Sequence, residues 1–424
     1  MGPYKFAESQ ALFERSKSVV PGAPNFGLGH YSIGSTAPAA PIYLDRSEGA
    51  RFWDVDGNEF IDGMCAYGPM VLGYNNPVVE EAAAKQREQG SCTTLVGPVM
   101  VELAETLVDM VPIAEWAIFS KNGADPTNIA AMTARAATGR RKIVKVRGGY
   151  HGATPWMQET GNSGTIAEDQ EQIINVRWNN VEQLEQVFTE HGDDIAGFIS
   201  SAYHHPVFKD NQMPDNGYWG TVISLCKKYG AVSIVDDVRS GFRCHLGGAC
   251  EYFGFKPDLI CFGKALGNGY PISALVGTEE MREAVAQVFY TGTNFFAAVP
   301  MAAALATLKE LQRIDGANQM IAKGERLRNG MMKAAEKHGH DLRVTGMPSM
   351  PYFRLANDET WPDFSQGTSS LNTGLHGRWI SNCVQRGVYF LTHHNHFLST
   401  AHTDTDIDEM IEIVDEAFGA LNKV

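Results

Sequence analysis

Two stretches decide the fold: 233-SIVDDVRSGFR-243 and 258-DLICFGKALGNGYP-271. Each opens with a short apolar run and then breaks into charge and glycine. An apolar run of this length reads as a strand buried on both faces. A charged group just past such a strand sits at the rim where open α/β sheets hold their ligands. Working outward, WAIF (116–119), KIVKV (142–146), IINV (173–176), GFIS (197–200), VSIV (232–235), DLICF (258–262) and ISALV (272–276) alternate with helical spacing over 126–138, 181–190 and 219–229. Strands separated by helices predict an α/β fold with a mostly parallel central sheet in a large domain.

The flanks read differently. A turn-rich entry over 21–41 leads into YLDRSEGARFWDVDGNEFIDG (43–63), whose Glu-Gly and Asp-Gly pairs predict hairpin turns and a small meander. After Pro300 helical patterns run to about His338, and an acidic helix closes the chain over Asp406 to Leu421. The expected division has 1–60 contributing to a smaller α+β domain, 61–315 forming the large domain and 316–424 completing the small one.

Composition narrows the function. Of 424 residues, 44% are hydrophobic and 20% charged, which suits a globular enzyme and excludes a disordered chain. The net charge of −14 argues against nucleic acid or an anionic membrane as partner. The seven cysteines are scattered without C-x-x-C spacing, as expected of reduced thiols. No apolar run approaches the roughly 18 residues of a membrane span, and MGPYKFAESQ holds no apolar signal segment. A cytoplasmic enzyme acting on small molecules is the expectation.

Asp236 closes its strand, where a carboxylate suits the protonated nitrogen of a pyridine ring; a cap or turn role fits the same residue. Lys264 sits among glycine and apolar neighbours, and desolvation there lowers an amine's pKa and frees its lone pair for imine formation. In FSKNGADPTNIAAM (119–132) a strand runs through Asn122, Gly123 and Ala124 into a helix, with Asp125 as expected N-cap and Pro126 at the first helical position. Such a start holds phosphate through backbone N–H groups, or is simply a capped helix.

These motifs resemble a known family. Asp236-Asp237-Val238 with Gly241-Phe242-Arg243, followed by Gly263-Lys264, Gly267 and Gly269-Tyr270-Pro271, is similar to the D-E-V-x-x-G-F-R and G-K-x-x-G-G-G-x-P signature of class III aminotransferases. Ala66 to Pro77 (AYGPMVLGYNNP) resembles W-G-P-M-V-L-G-H-N-H-P of its glutamate-1-semialdehyde aminomutase branch. The resemblance implies pyridoxal-5′-phosphate (PLP) fold type I, with active sites shared across a homodimer. It implies that Lys264 carries PLP as a Schiff base and that Asp236 pairs with the ring nitrogen. Gly123 and Ala124, with Asn122 in place of the usual serine, would hold the phosphate. Tyr150 of Tyr150-His151-Gly152 would stack on one ring face and Val238 on the other, and Thr293 would reach the neighbouring subunit's phosphate. For Arg243 it leaves a structural ion pair or a carboxylate clamp. His204-His205 and His393-His394 with His396 lack the spacing of a metal site, and no metal is expected.

Two departures bear on substrate. Gly29 falls where the aminomutases carry the arginine that binds the substrate α-carboxylate, and Ser201-Ala202 replaces a Glu-Pro pair. Phe26, His30 and Tyr67 remain as pocket candidates, apolar or neutral. The expected reaction is transfer of an amino group from a donor with no carboxylate near its amine to a keto acid, pyruvate by family analogy. Alternatives are the aminomutase, a PLP racemase, and a PLP-binding protein without catalysis.

Overall fold

The computed structural model describes residues 4–21, 43–158, 162–206, 209–356 and 374–421. The chain separates into two compact units: one of residues 1–76, 207–210 and 319–424, the other of 77–206 and 211–318.

The first unit holds the meander read from the sequence. Strands β1 (Leu44–Glu48), β2 (Arg51–Asp54) and β3 (Glu59–Asp62) pair antiparallel in order. Gly49 and Gly57 turn the chain between them at φ +57° and +81°, where a side chain would be strained.

The second unit is built on seven strands: β4 (Trp116–Ser120), β5 (Lys142–Val146), β6 (Ile173–Val176), β7 (Ile195–Ser200), β8 (Val232–Asp236), β9 (Leu259–Phe262) and β10 (Ser273–Gly277). Their order is β4-β10-β9-β8-β7-β5-β6. Only β10 runs against its neighbours; every other pairing is parallel. The α/β fold with a mostly parallel sheet is therefore observed.

The apolar runs are continuous because both sheet faces are covered. All residues of β7, β8, β9 and β10 are buried. Helix Ala124–Thr138 packs Ile129, Ala130, Ala131 and Ala134 into the core with Ile143, Ile199 and Ile234. Its small side chains allow close approach: a Cβ on Gly197 would stand 3.2 Å from that of Ala134. Since β4, β5, β7, β8 and β9 share one direction, the loops after them emerge along a single edge, and Lys121–Ala124, Tyr150–His151, Ser201–His205, Asp237–Arg239 and Gly263–Lys264 gather there.

The first unit then closes. Strand β11 (Leu342–Thr345) pairs with β12 (Tyr352–Leu355), and β13 (Val388–Tyr389) joins β3 in parallel. Trp379, Phe418, Phe60 and Val388 belong to its core. The closing helix begins at Asp404, two residues before the start expected from its pattern.

Candidate active site

Asp236 ends β8 and is 6% exposed. Its Oδ1 accepts from the Val238 N–H at 3.1 Å, and its Oδ2 lies 2.7 Å from His151 Nδ1. Against a carboxylate, that imidazole nitrogen carries the proton and donates. His151 is 1% exposed, and its carbonyl accepts from the Thr127 hydroxyl at 2.7 Å. His151 Nε2 is buried without a hydrogen-bond partner among the described residues.

Lys264 follows β9 and opens a short 3₁₀ turn, Lys264–Gly267, with φ +41°. A non-glycine residue in that region costs on the order of 1 kcal/mol or more, and such strain gathers at functional sites. Gly263 before it is extended at φ −172°. The lysine is half-buried, and its amine is lowered to about 8, first by burial, then by the charge of Arg239, with Asp236 acting the other way.

Helix Ala124–Thr138 starts at Ala124 with Gly123 as N-cap residue, so the expectation of Asp125 at the cap and Pro126 at the first position is corrected. The chain is already helical at Gly123, φ −59° and ψ −26°. Asp125 turns back instead, and its Oδ2 accepts from the N–H groups of Lys121 and Asn122 at 3.1 and 2.7 Å. The hydroxyl of Ser273 donates to the Asn122 carbonyl at 2.9 Å, which ties the turn to β10. The Asn122 side chain is exposed. A Cβ on Gly123 would stand 2.7 Å from Val238 Cγ1, and one on Gly263 3.2 Å from the same atom. Val238 is thus wedged between the turn at Gly123 and the residue preceding Lys264.

Tyr150 is 65% exposed beside this edge. Thr293 is exposed, with its carbonyl 3.8 Å from the Cys92 thiol; in the same segment, the Tyr290 hydroxyl donates to Asp125 Oδ1 at 3.2 Å. Arg243 is fully buried. Tyr67 belongs to the first unit, where it packs edge-on against His394 at 5.2 Å. Phe26, His30 and Gly29 lie outside the described residues. Among the histidines weighed for metal, His204 stacks on Trp178 at 5.9 Å and His396 on Phe353 at 3.9 Å.

Some features escaped the sequence reading. The partnership of His151 with Asp236 has no local signal, since 85 residues separate them. Asp237 is held by the Ser240 hydroxyl at 2.5 Å and the Ala249 N–H at 2.7 Å, while burial pushes its carboxyl up to about 6. Lys121, next to the turn, has its Nζ buried without a hydrogen-bond partner among the described residues, and burial lowers its amine to about 8.

A mixed α/β sheet that gathers a buried carboxylate, a lysine of lowered pKa and a glycine-led helix start along one edge is the arrangement of a PLP-dependent transferase. The chain belongs to the class III aminotransferase family, whose model matches residues 33–418. It is similar to the aminopentol aminotransferase of Sphingopyxis macrogoltabida, 40% identical over 97% of this chain and 93% of that one. The 3-aminobutyryl-CoA aminotransferase of Cloacimonas acidaminovorans is 35% identical over 99% of both chains. Among solved structures, the PLP internal aldimine form of the FumI protein of Sphingopyxis sp. MTA144 superposes with a TM-score of 0.91, at 40% identity over 98% of this chain and 96% of that one. The fold is accordingly PLP fold type I and the cofactor is pyridoxal phosphate. No helix among the described residues is long and apolar enough to cross a membrane.

Proposed function

We propose that this aminotransferase takes its amino group from a donor whose amine is remote from any carboxylate and delivers it to a keto acid, with pyruvate the acceptor by family analogy. The observation that carries the donor assignment is Gly29, an uncharged residue where the resembling aminomutases place their carboxylate-binding arginine. A site without that cation loses much of its affinity for a carboxylate next to the amine. The names of the two relatives point the same way, since an aminopentol and a 3-aminobutyryl thioester are not α-amino acids.

Bound PLP supplies an electron-withdrawing ring that acidifies the C–H bond beside the donor nitrogen. In our reading Lys264 Nζ would hold the cofactor, and as a neutral amine it would be the base that carries a proton at the donor carbon. Asp236 keeps a proton on the ring nitrogen, and His151 holds Asp236 in place. The backbone N–H groups at Gly123 and Ala124 meet the phosphate at the positive end of their helix. Val238 and Tyr150 would cover the two faces of the bound ring. The working unit in this reading is a homodimer, with Thr293 serving the partner's site.

The test is a donor panel with pyruvate as acceptor: simple amines, amino alcohols, β-amino acids and α-amino acids. Fast turnover confined to α-amino acids would refute the donor assignment. Release of a keto product that does not depend on added pyruvate would favour the intramolecular aminomutase instead.

A further inference from the structure

Helix Ala124–Thr138 carries threonines at 127, 133 and 138. Inside a helix a threonine ordinarily turns its hydroxyl back onto the carbonyl four residues earlier. Thr133 and Thr138 do so, donating to the carbonyls of Ile129 and Ala134 at 2.8 and 2.7 Å. Thr127 departs from this pattern. Its Oγ1 lies 3.3 Å from the Gly123 carbonyl and 3.0 Å from that of Ala124, but 2.7 Å from the carbonyl of His151, 24 residues further along the chain. A hydroxyl has one proton to donate, and the shortest contact, the one that leaves the helix, takes it.

The surroundings of that bond are tightly packed. Thr127 is fully buried, as is His151 but for 1%. Gly152 has φ +115°, and a Cβ there would stand 2.6 Å from that of Ala124, so the chain leaving His151 lies directly on the first turn of the helix. A Cβ on Gly149 would stand 2.8 Å from His151 Nε2. With its carbonyl held by Thr127 and its ring flanked by Gly149, His151 brings Nδ1 to 2.7 Å from Asp236 Oδ2.

Two hydrogen bonds therefore lead from the first turn of the helix to the end of β8, Thr127 to His151 and His151 to Asp236. Without the Thr127 hydroxyl the buried His151 carbonyl loses a donor, and the segment must re-seat to find another. Any such shift turns the imidazole off its line to the carboxylate.

We infer that Thr127 is a positioning residue of the reaction: its hydroxyl sets the height of His151 and, through it, the direction of the Asp236 carboxylate toward the ring nitrogen of PLP. The inference rests on the reading that Asp236 meets that nitrogen. It makes one helix start responsible for both ends of the cofactor, with the N–H groups of Gly123 and Ala124 toward the phosphate and Thr127 toward the nitrogen.

The experiment uses holoenzyme loaded with PLP isotopically labelled at its ring nitrogen. Two readouts are followed: the magnetic resonance of that nitrogen, and the transamination rate with pyruvate and the fastest donor of the panel above. Thr127→Val should move the resonance toward that of an unprotonated ring and slow transamination about 5- to 10-fold, as expected on losing one buried hydrogen bond. Thr127→Ser, which keeps the hydroxyl, should recover both. Thr133→Val removes an equally buried hydroxyl from the same helix and should leave both at wild type. In a His151→Ala background Thr127→Val should add less than about twofold, because the two residues act as one unit. A resonance unmoved by Thr127→Val, equal effects of Thr127→Val and Thr133→Val, or losses that multiply in the double variant would overturn the inference. Thr127→Ala, which also lacks the hydroxyl and needs no added room, carries the same expectations if Thr127→Val does not fold. An Asp236→Ala holoenzyme with wild-type resonance and rate would instead refute the placement of Asp236 at the ring nitrogen, so the two failures are distinguishable.

Discussion

His151 Nδ1 and Asp236 Oδ2 stand 2.7 Å apart and are joined inside the protein, although 85 residues of chain separate them. Each end comes from a different strand, β5 through the loop to Tyr150–His151 and β8 through its last residue. The imidazole therefore orients the carboxylate as an outer partner orients a ligand. Removing it leaves a buried carboxylate oxygen short of one donor, a loss of about 1–3 kcal/mol.

His151→Ala is accordingly expected to cut transamination about 10- to 100-fold, and Asp236→Ala to cut it further, both with the fold retained. Steady-state rates beside circular dichroism check this. A His151→Ala rate within twofold of wild type would mean that the pair is only packing.

Lys264→Ala should abolish both transamination and the visible absorbance of the bound cofactor. The same residue sets a pH dependence. Its folded-state amine is lowered to about 8 from the ordinary value near 10.5. Between these values the folded chain binds fewer protons than the unfolded one, so this group's contribution to apoprotein stability rises with pH through that window and is unfavourable below it. Only the neutral amine is a nucleophile. The rate at which apoprotein develops visible absorbance on adding PLP should therefore climb with pH and level off above about 8. Stopped-flow mixing across pH 6.5 to 9.5 gives the profile, and a flat one would contradict the assignment.

Gly123→Ala would bring a methyl to 2.7 Å from Val238 Cγ1, on a β-branched side chain with little rotameric freedom. The turn must shift, and the N–H groups with it. The expected result is at least tenfold weaker PLP binding in a titration of apoprotein, with activity largely recovered at saturating cofactor. Unchanged affinity would place the phosphate elsewhere.

In the first unit, Arg51 ties the meander to the closing helix. Its Nη2 reaches Asp406 Oδ1 at 2.7 Å and Glu409 Oε2 at 2.5 Å, and its Nη1 reaches Glu59 Oε1 at 2.9 Å. Arg51 is a quarter exposed and Asp406 nearly buried, so the network keeps more of its strength than a surface pair. Arg51→Ala should lower the unfolding midpoint by a few degrees, roughly 1–3 kcal/mol of lost interaction. Differential scanning calorimetry measures it, and an unshifted midpoint would show the network to be fully solvated in effect.

Much of the sheet was legible beforehand because burial on both faces leaves no room for polar residues. KIVKV and IINV match their strands residue for residue. The strand through IAGFIS begins two residues before the expected GFIS, since Ile195 and Ala196 are as buried as the rest. The helix after β4 was misjudged by two residues because Asp and Pro favour its first turn at several positions, and the side chain of Asp125 had a competing use one turn back.

What the sequence determined by itself is the kind of chemistry: Asp236 and Lys264 each follow an apolar run, and local pattern alone puts them at strand ends. What only the tertiary structure decided is who meets whom at that edge. His151 reaches Asp236, and His205 reaches Arg239, through the order and register of β5, β7 and β8. That order arises from helical crossovers packing many apolar side chains at once, so it is a property of the whole core, and no short stretch around any of these four residues encodes it.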